Sequence, residues 1–128
     1  MTENEIGTAI VDAAIEVHRV LGGPGLLECV YEEALCYELE MRGLSVSRQK
    51  IVPLVYKEKK LAHDLRLDVL VQDKVIVESK ATSQYNSIYE AQVLTYLRMS
   101  QLKLGYVINF GEKRVRDGIH RVINGILA

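Results

Sequence analysis

The sequence predicts an α/β fold, a mixed sheet of four or slightly more strands flanked by helices in the order ααβββαβ. Three observations carry that prediction. Leu65–Val71 and Val75–Ala81 each alternate apolar and polar residues with the period of a strand, and a tight polar turn, Gln72-Asp73-Lys74, joins them. Ile6, Ile10, Ala13, Ala14, Val17 and Leu21 recur at helical spacing instead. A third helical stretch after Ser87 is followed by one more apolar run, Leu104–Phe110. A three-stranded meander, a helical crossover and a fourth strand make a mixed sheet with helices on both faces.

The elements follow in order. Thr2 and Glu5 form a capping box that opens the first helix, and Gly22-Gly23-Pro24-Gly25 ends it. A second helix runs from about Leu27 to Arg42, with Gly43 as its left-handed cap and Leu27, Val30, Tyr31, Ala34, Leu35 and Leu39 as its inner face. Ser45 to about Val55 reads as a strand, and Tyr56–Lys60 as a charged turn. Ser87 with Glu90 repeats the capping-box pattern before the third helix, which runs to about Ser100. Arg114–Leu127 alternates as a strand does, and a short helix fits it nearly as well.

At 128 residues the chain is expected to form one domain, 1–128, with a core that needs no staples. No apolar run approaches the ~18 residues of a membrane span. The acidic start does not resemble a signal peptide, so secretion is not expected and a cytoplasmic location is. Cys29 and Cys36 lie on one helix with Cα atoms ~10 Å apart, too far for a disulfide, and read as core thiols. Net charge is −1, yet nine acids face two bases through Gly43 and fourteen bases face eight acids beyond it. The basic remainder gives weak support for a polyanionic partner.

Register brings out the chemistry. A three-residue loop that pairs Val71 with Val75 sets Asp68 opposite Glu78, Cβ atoms ~5 Å apart, with Lys80 on the same face. Facing like charges destabilise a sheet unless something positive stands between them. Mg²⁺ or Mn²⁺ would take these carboxylates as hard oxygen ligands, with the Ser79 carbonyl as a further one. Lys80 would orient an attacking water or neutralise a phosphodiester transition state. The alternative is an ordinary cross-strand ion-pair group in which Lys80 and Arg66 bridge the two acids.

Asp68, a hairpin and then Glu78-Ser79-Lys80 resemble the PD-(D/E)XK nuclease superfamily. Within it the chain resembles the GxxExxY family through Gly25-Leu26-Leu27-Glu28-Cys29-Val30-Tyr31, preceded by Val17-His18-Arg19 and Gly22-Gly23-Pro24. Glu90-Ala91-Gln92, Tyr96-Leu97, Leu104-Gly105 and Asn109-Phe110-Gly111 continue the match over essentially the whole chain. No proline precedes Asp68. The resemblance implies a restriction-endonuclease-like core and metal-dependent hydrolysis of DNA or RNA. It also implies Asp68 and Glu78 as metal ligands, Lys80 as catalytic lysine, Glu28 as an acid completing the site, and Gln92 as a polar residue facing it.

Each remaining candidate has a plainer reading. Glu28 is favoured by the dipole of the helix it opens. Tyr31 and Tyr96 suit packing with a bonded hydroxyl. Gln92 suits a buried amide, and His18 complements a helix C-terminus. His63 and His120 read as solvated. The glycine loop lacks a P-loop ending and reads as a turn that presents Glu28. A non-catalytic nucleic-acid-binding or protein-interaction module on the same fold is the competing function, and a homodimer is an expectation for a small domain whose single site cuts one strand.

Overall fold

A computed structural model describes residues 1–127. Two helices, α1 (Glu3–Val20) and α2 (Glu28–Met41), precede a meander of β1 (Val46–Tyr56), β2 (Lys59–Val71) and β3 (Val75–Lys80). Helix α3 (Ile88–Ser100) crosses over to β4 (Leu104–Asn109), and a 3-10 turn (Val115–Gly118) leads into β5 (Ile119–Ile123). The five strands lie in sequence order, with β3 and β4 parallel and every other pair antiparallel. The tail, open between helix and strand, is thus a 3-10 turn followed by a strand. Among the described residues no helix is long and apolar enough to cross a membrane.

Helices α1 and α2 cover one face of the sheet, where Ile6, Ile10, Tyr31, Leu35 and Leu39 bury against Val69, Val71, Val75, Val77 and Ile108. Helix α3 covers the other, burying Val93 and Leu97 on Leu70, Ile76 and Val107. Gly105 permits that approach: a Cβ there would stand 2.7 Å from Val93 Cγ1. The central strand β3 is therefore dry on both faces, which makes the two polar residues it buries, Glu78 and Ser79, costly unless they are used.

The Thr2–Glu5 capping box forms, each side chain taking the other residue's backbone N–H. The second one does not. Among the described residues the Ser87 side chain makes no cap bond, and Asn86 Oδ1 accepts from Ile88 N instead, while Glu90 accepts from the Tyr85 hydroxyl. Helix α2 is turned from its expected face: Leu27 and Val30 are exposed, whereas Glu32 and Cys36 are buried beside Tyr31 and Leu35. Leu27 is the extended N-cap, outside the helical repeat, and Arg48 draws Glu32 inward with an ion pair of 2.9 Å. Cys29 is exposed and only Cys36 is a core thiol. His120 is not solvated but stacked on Tyr85 at 4.1 Å.

The hairpin has the expected register. Val71 pairs with Val75 and Val69 with Val77, through a turn in which Gln72 and Asp73 take φ of 54° and 53°. The single apolar face expected for β2 does not hold. Val69 and Val71 pack under α1 and α2, but Leu67 and Leu65 pack with the α3 cluster. On β1, Val46 and Val52 divide between the two clusters in the same way. The β1–β2 ladder skips one position, between the pairs Arg48–Val69 and Lys50–Leu67, where Gln49 has φ of 54°. Both strands turn over there, and Asp68 stands opposite Gln49 at the break.

Candidate active site

Four elements converge at one end of the sheet. The β2–β3 ladder stops at Val69–Val77, so the next residues, Asp68 and Glu78, face each other where the strands part. The Asp68 N–H donates to Glu78 Oε1 at 3.4 Å rather than to a strand partner. Carbonyls along a strand point alternately to either side. Because the Lys80 carbonyl accepts from Phe110 N on the β4 side at 2.8 Å, the Ser79 carbonyl points the other way, toward the gap that β2 has left.

Glu78 is only 8% exposed. Its carboxyl is held well above the ordinary carboxylate range, first by burial, then by a hydrogen bond with the Asp68 carboxyl and by its charge, with the Asp68 N–H and Lys80 opposing. Lys80 is half-buried, its Nζ 4.6 Å from the centre of the Tyr89 ring, which fixes a long flexible side chain by cation–π contact. The Tyr96 hydroxyl, on α3, is raised by burial first and then by the charges of Glu78 and Asp68.

On the α2 side a cleft of about 410 Å³ is lined by Leu27, Glu28, Cys29, Glu32, Gln49 and Asp68. Glu28 stands exposed in the first turn of α2, and its carboxyl is raised by partial desolvation first; Lys80 opposes this, while Asp68 and Glu32 add to it. The break at Gln49 and Asp68 opens this cleft, since it lets Asp68 serve both the β3 side and the α2 side. Among the described residues no group of three or more His, Cys, Asp or Glu stands close enough together to hold a metal ion. The donors brought together are the Asp68 and Glu78 carboxyls, with the Ser79 carbonyl directed toward the same gap by the strand's alternation. That set fits an ion such as Mg²⁺, which uses one or two carboxylates and completes its shell with water and phosphate oxygens.

The remaining candidates lie elsewhere. Tyr31 is buried in the core under α1 and α2, stacked on Phe110 at 4.8 Å, and its hydroxyl donates to the Gly23 carbonyl at 2.7 Å while accepting from Leu26 N at 3.1 Å. It braces the glycine loop that presents Glu28. His18 is buried too, and Nε2 donates to the Phe110 carbonyl at 3.2 Å. Gln92 is exposed on α3, one turn from both Tyr89 and Tyr96, rather than a buried amide.

Sequence reasoning passed over Tyr89, Gln49 and a latch behind Lys80. The buried Asn109 side chain accepts from Thr82 N and Gly111 N and donates to the Thr82 carbonyl, all at 3.0 Å. Gly111 lies so close to the Thr82 backbone that no Cβ fits. The latch holds the segment that leaves β3 immediately after Lys80. Asn and Gly at the end of an apolar strand were the available signal, and alone they read as an ordinary turn.

A family model described as PD-(D/E)XK nuclease superfamily matches residues 4–122 of the chain. No curated protein and no solved structure shows significant similarity to it.

Proposed function

The chain belongs to the PD-(D/E)XK nuclease superfamily, and from that premise we propose that it hydrolyses phosphodiester bonds of DNA or RNA with Mg²⁺ or Mn²⁺, as a member of the GxxExxY family. The observation that carries this reading is the pairing of Asp68 with a buried Glu78 where β2 and β3 part, beside Lys80. Two acids forced together in a dry strand cost stability and call for a cation.

In this reading Asp68, Glu78 and the Ser79 carbonyl hold the ion, which lowers the pKa of water and offsets the charge that develops on the phosphate. Lys80, steadied by Tyr89, aligns the attacking water or neutralises the same charge. Glu28 completes the acidic mouth of the cleft, and Gln92 and Tyr96 contact substrate from α3. Tyr31 and His18 hold the backbone that carries these groups. The two free thiols support a reducing, cytoplasmic setting, and pairing of two copies would supply a cut in each strand.

The test is cleavage of labelled single- and double-stranded DNA and RNA by wild type and by Glu78→Gln, purified in parallel. Metal-dependent cleavage confined to the wild type is expected. Equal cleavage by both, or by neither, refutes the reading. A non-catalytic nucleic-acid-binding module is the second reading, and one observation favours it: no third acidic or imidazole ligand joins the pair among the described residues.

A further inference from the structure

Strand β2 has thirteen residues, but β3 pairs with only its last three. The rest of β2 pairs with β1 alone, and β1 is the edge of the sheet. Val52 and Leu65 still rest on the α3 cluster. Beyond them, from Pro53 to Asp64, every residue is exposed except the half-buried Leu54 and Leu61. The two strands thus leave the body as a ribbon that begins at Asp68 and ends in a two-residue turn at Lys57 and Glu58, roughly 30 Å away at 3.3 Å per residue. Lys57 and Glu58 both take positive φ, 48° and 72°, as such a tight turn requires.

The ribbon has its own charge. Between Lys50 and Arg66 five cations stand against two acids, in a chain whose net charge is −1. Lys57, Lys59 and Lys60 crowd the tip, and Arg66 sits near the root, paired across the strands with the exposed Ile51. That uncovered face is opposite Leu65 and Leu67, and so continues the side of the sheet on which Asp68 meets the α2 cleft. Tyr56, 62% exposed, stands beside the turn.

We infer that this ribbon is the element that seats duplex DNA, lying in the major groove with its tip lysines on the phosphates and its root delivering the backbone to Asp68. The inference rests on the nucleic-acid reading above and names its substrate. A B-form major groove is about 12 Å wide and admits a two-stranded ribbon, whereas the major groove of duplex RNA is deep, narrow and closed to side chains. The rival use of an edge strand, pairing with a second copy, is blunted by Pro53, by the register shift between Pro53 and Val55, and by the lysines.

The experiment is binding of labelled DNA duplex, the matching RNA duplex and each single strand, in EDTA so that nothing is cut, at several salt concentrations. Wild type is compared with a variant carrying Lys57→Ala, Lys59→Ala and Lys60→Ala, whose thermal unfolding checks that the fold is intact. Wild type is expected to prefer the DNA duplex. The variant should bind it roughly tenfold or more weakly, with the slope of log affinity against log salt reduced by about 2 to 3, near 0.9 for each lost phosphate contact.

Unchanged binding by the variant overturns the inference, as does a wild-type preference for RNA duplex or single strands. A dimer in sedimentation that depends on the ribbon, with no DNA affinity, overturns it in favour of strand pairing. Hydrolysis of bis(p-nitrophenyl) phosphate with Mn²⁺ reads the carboxylate site apart from the ribbon. If that fails while ribbon-dependent DNA binding persists, the nuclease reading falls and the inference stands.

Discussion

Replacing Glu78 with Gln should stabilise the metal-free protein, and the gain should grow with pH. The side chain is 8% exposed and faces Asp68 where the β2–β3 ladder ends. Directly opposed residues of an antiparallel pair lie ~5 Å apart. At an effective dielectric of about 20, two charges at that distance repel by on the order of 3 kcal/mol.

The protein escapes part of this by keeping Glu78 protonated, which is the direction in which burial and Asp68 push its carboxyl. Between an ordinary glutamate pKa of about 4.3 and the raised native value, the folded state therefore binds more protons than the unfolded state. Stability must fall as pH rises through that window. Glu78→Gln keeps the shape and an oxygen for the Asp68 N–H, but does not titrate.

Wild type and variant should unfold alike near pH 4. By pH 7.5 the variant should lead by on the order of 3 kcal/mol, about 10 °C in Tm for a chain of this length. Circular-dichroism melts in EDTA across that pH range give the comparison. Saturating Mg²⁺ should then raise only the wild type, by about 2.7 kcal/mol at a hundred times Kd. A variant less stable than wild type at pH 7.5, or a gap that does not change with pH, would refute the reasoning.

Other substitutions test the supports of the site. Among the described residues the buried Ser79 hydroxyl has no partner, so Ser79→Ala should be neutral or stabilising by about 1 kcal/mol in urea unfolding, and it should leave unchanged any metal binding of the kind proposed above for the carbonyl. Tyr31→Phe loses the bonds to Gly23 and Leu26; it should cost about 1–2 kcal/mol and lower cleavage more than metal affinity, because it frees the loop before Glu28. Gly111→Ala drives a methyl into the Thr82 backbone. It should destabilise by about 2 kcal/mol or more in the same assay, as overpacking against rigid atoms does.

The sequence made the register of the central hairpin legible because apolar residues at 69, 71, 75 and 77 leave one arrangement that keeps them together, and the Gln72-Asp73-Lys74 turn enforces it. The first helix was equally plain, since Thr2 and Glu5 complete a reciprocal cap. The turnover at Asp68 was not. Leu65 and Leu67 continue the apolar alternation of Val69 and Val71 without a mark, and a left-handed glutamine at 49 carries no glycine to announce it. The ribbon was hidden for a related reason. Lys57–Lys60 has the composition of a loop, while its backbone continues as a ladder through Lys59 and Lys60.

Of the candidate site, the proximity of Asp68 and Glu78, with Lys80 next along the strand, was readable because two short strands and a fixed turn relate them. Relations between distant segments were not: Tyr89 beneath Lys80, Asn109 on Thr82 and Arg48 on Glu32 are products of the crossover and of helix placement. The inward turn of Glu32 could not be foreseen without its partner on β1.

The interrupted ladder at Gln49 and Asp68 also separates two lengths that a continuous hairpin would lock together. On the β3 side, removing one residue would invert the pattern that buries Val69 and Val71. On the far side, alternation has already been reset, and the tip carries its own turn. Adding or deleting a residue pair there, one in each strand, changes the reach of the ribbon while the carboxylates and core keep their positions. The break therefore works as an expansion joint, and it leaves the part that meets solvent free to vary in length while the part that holds the acids is not.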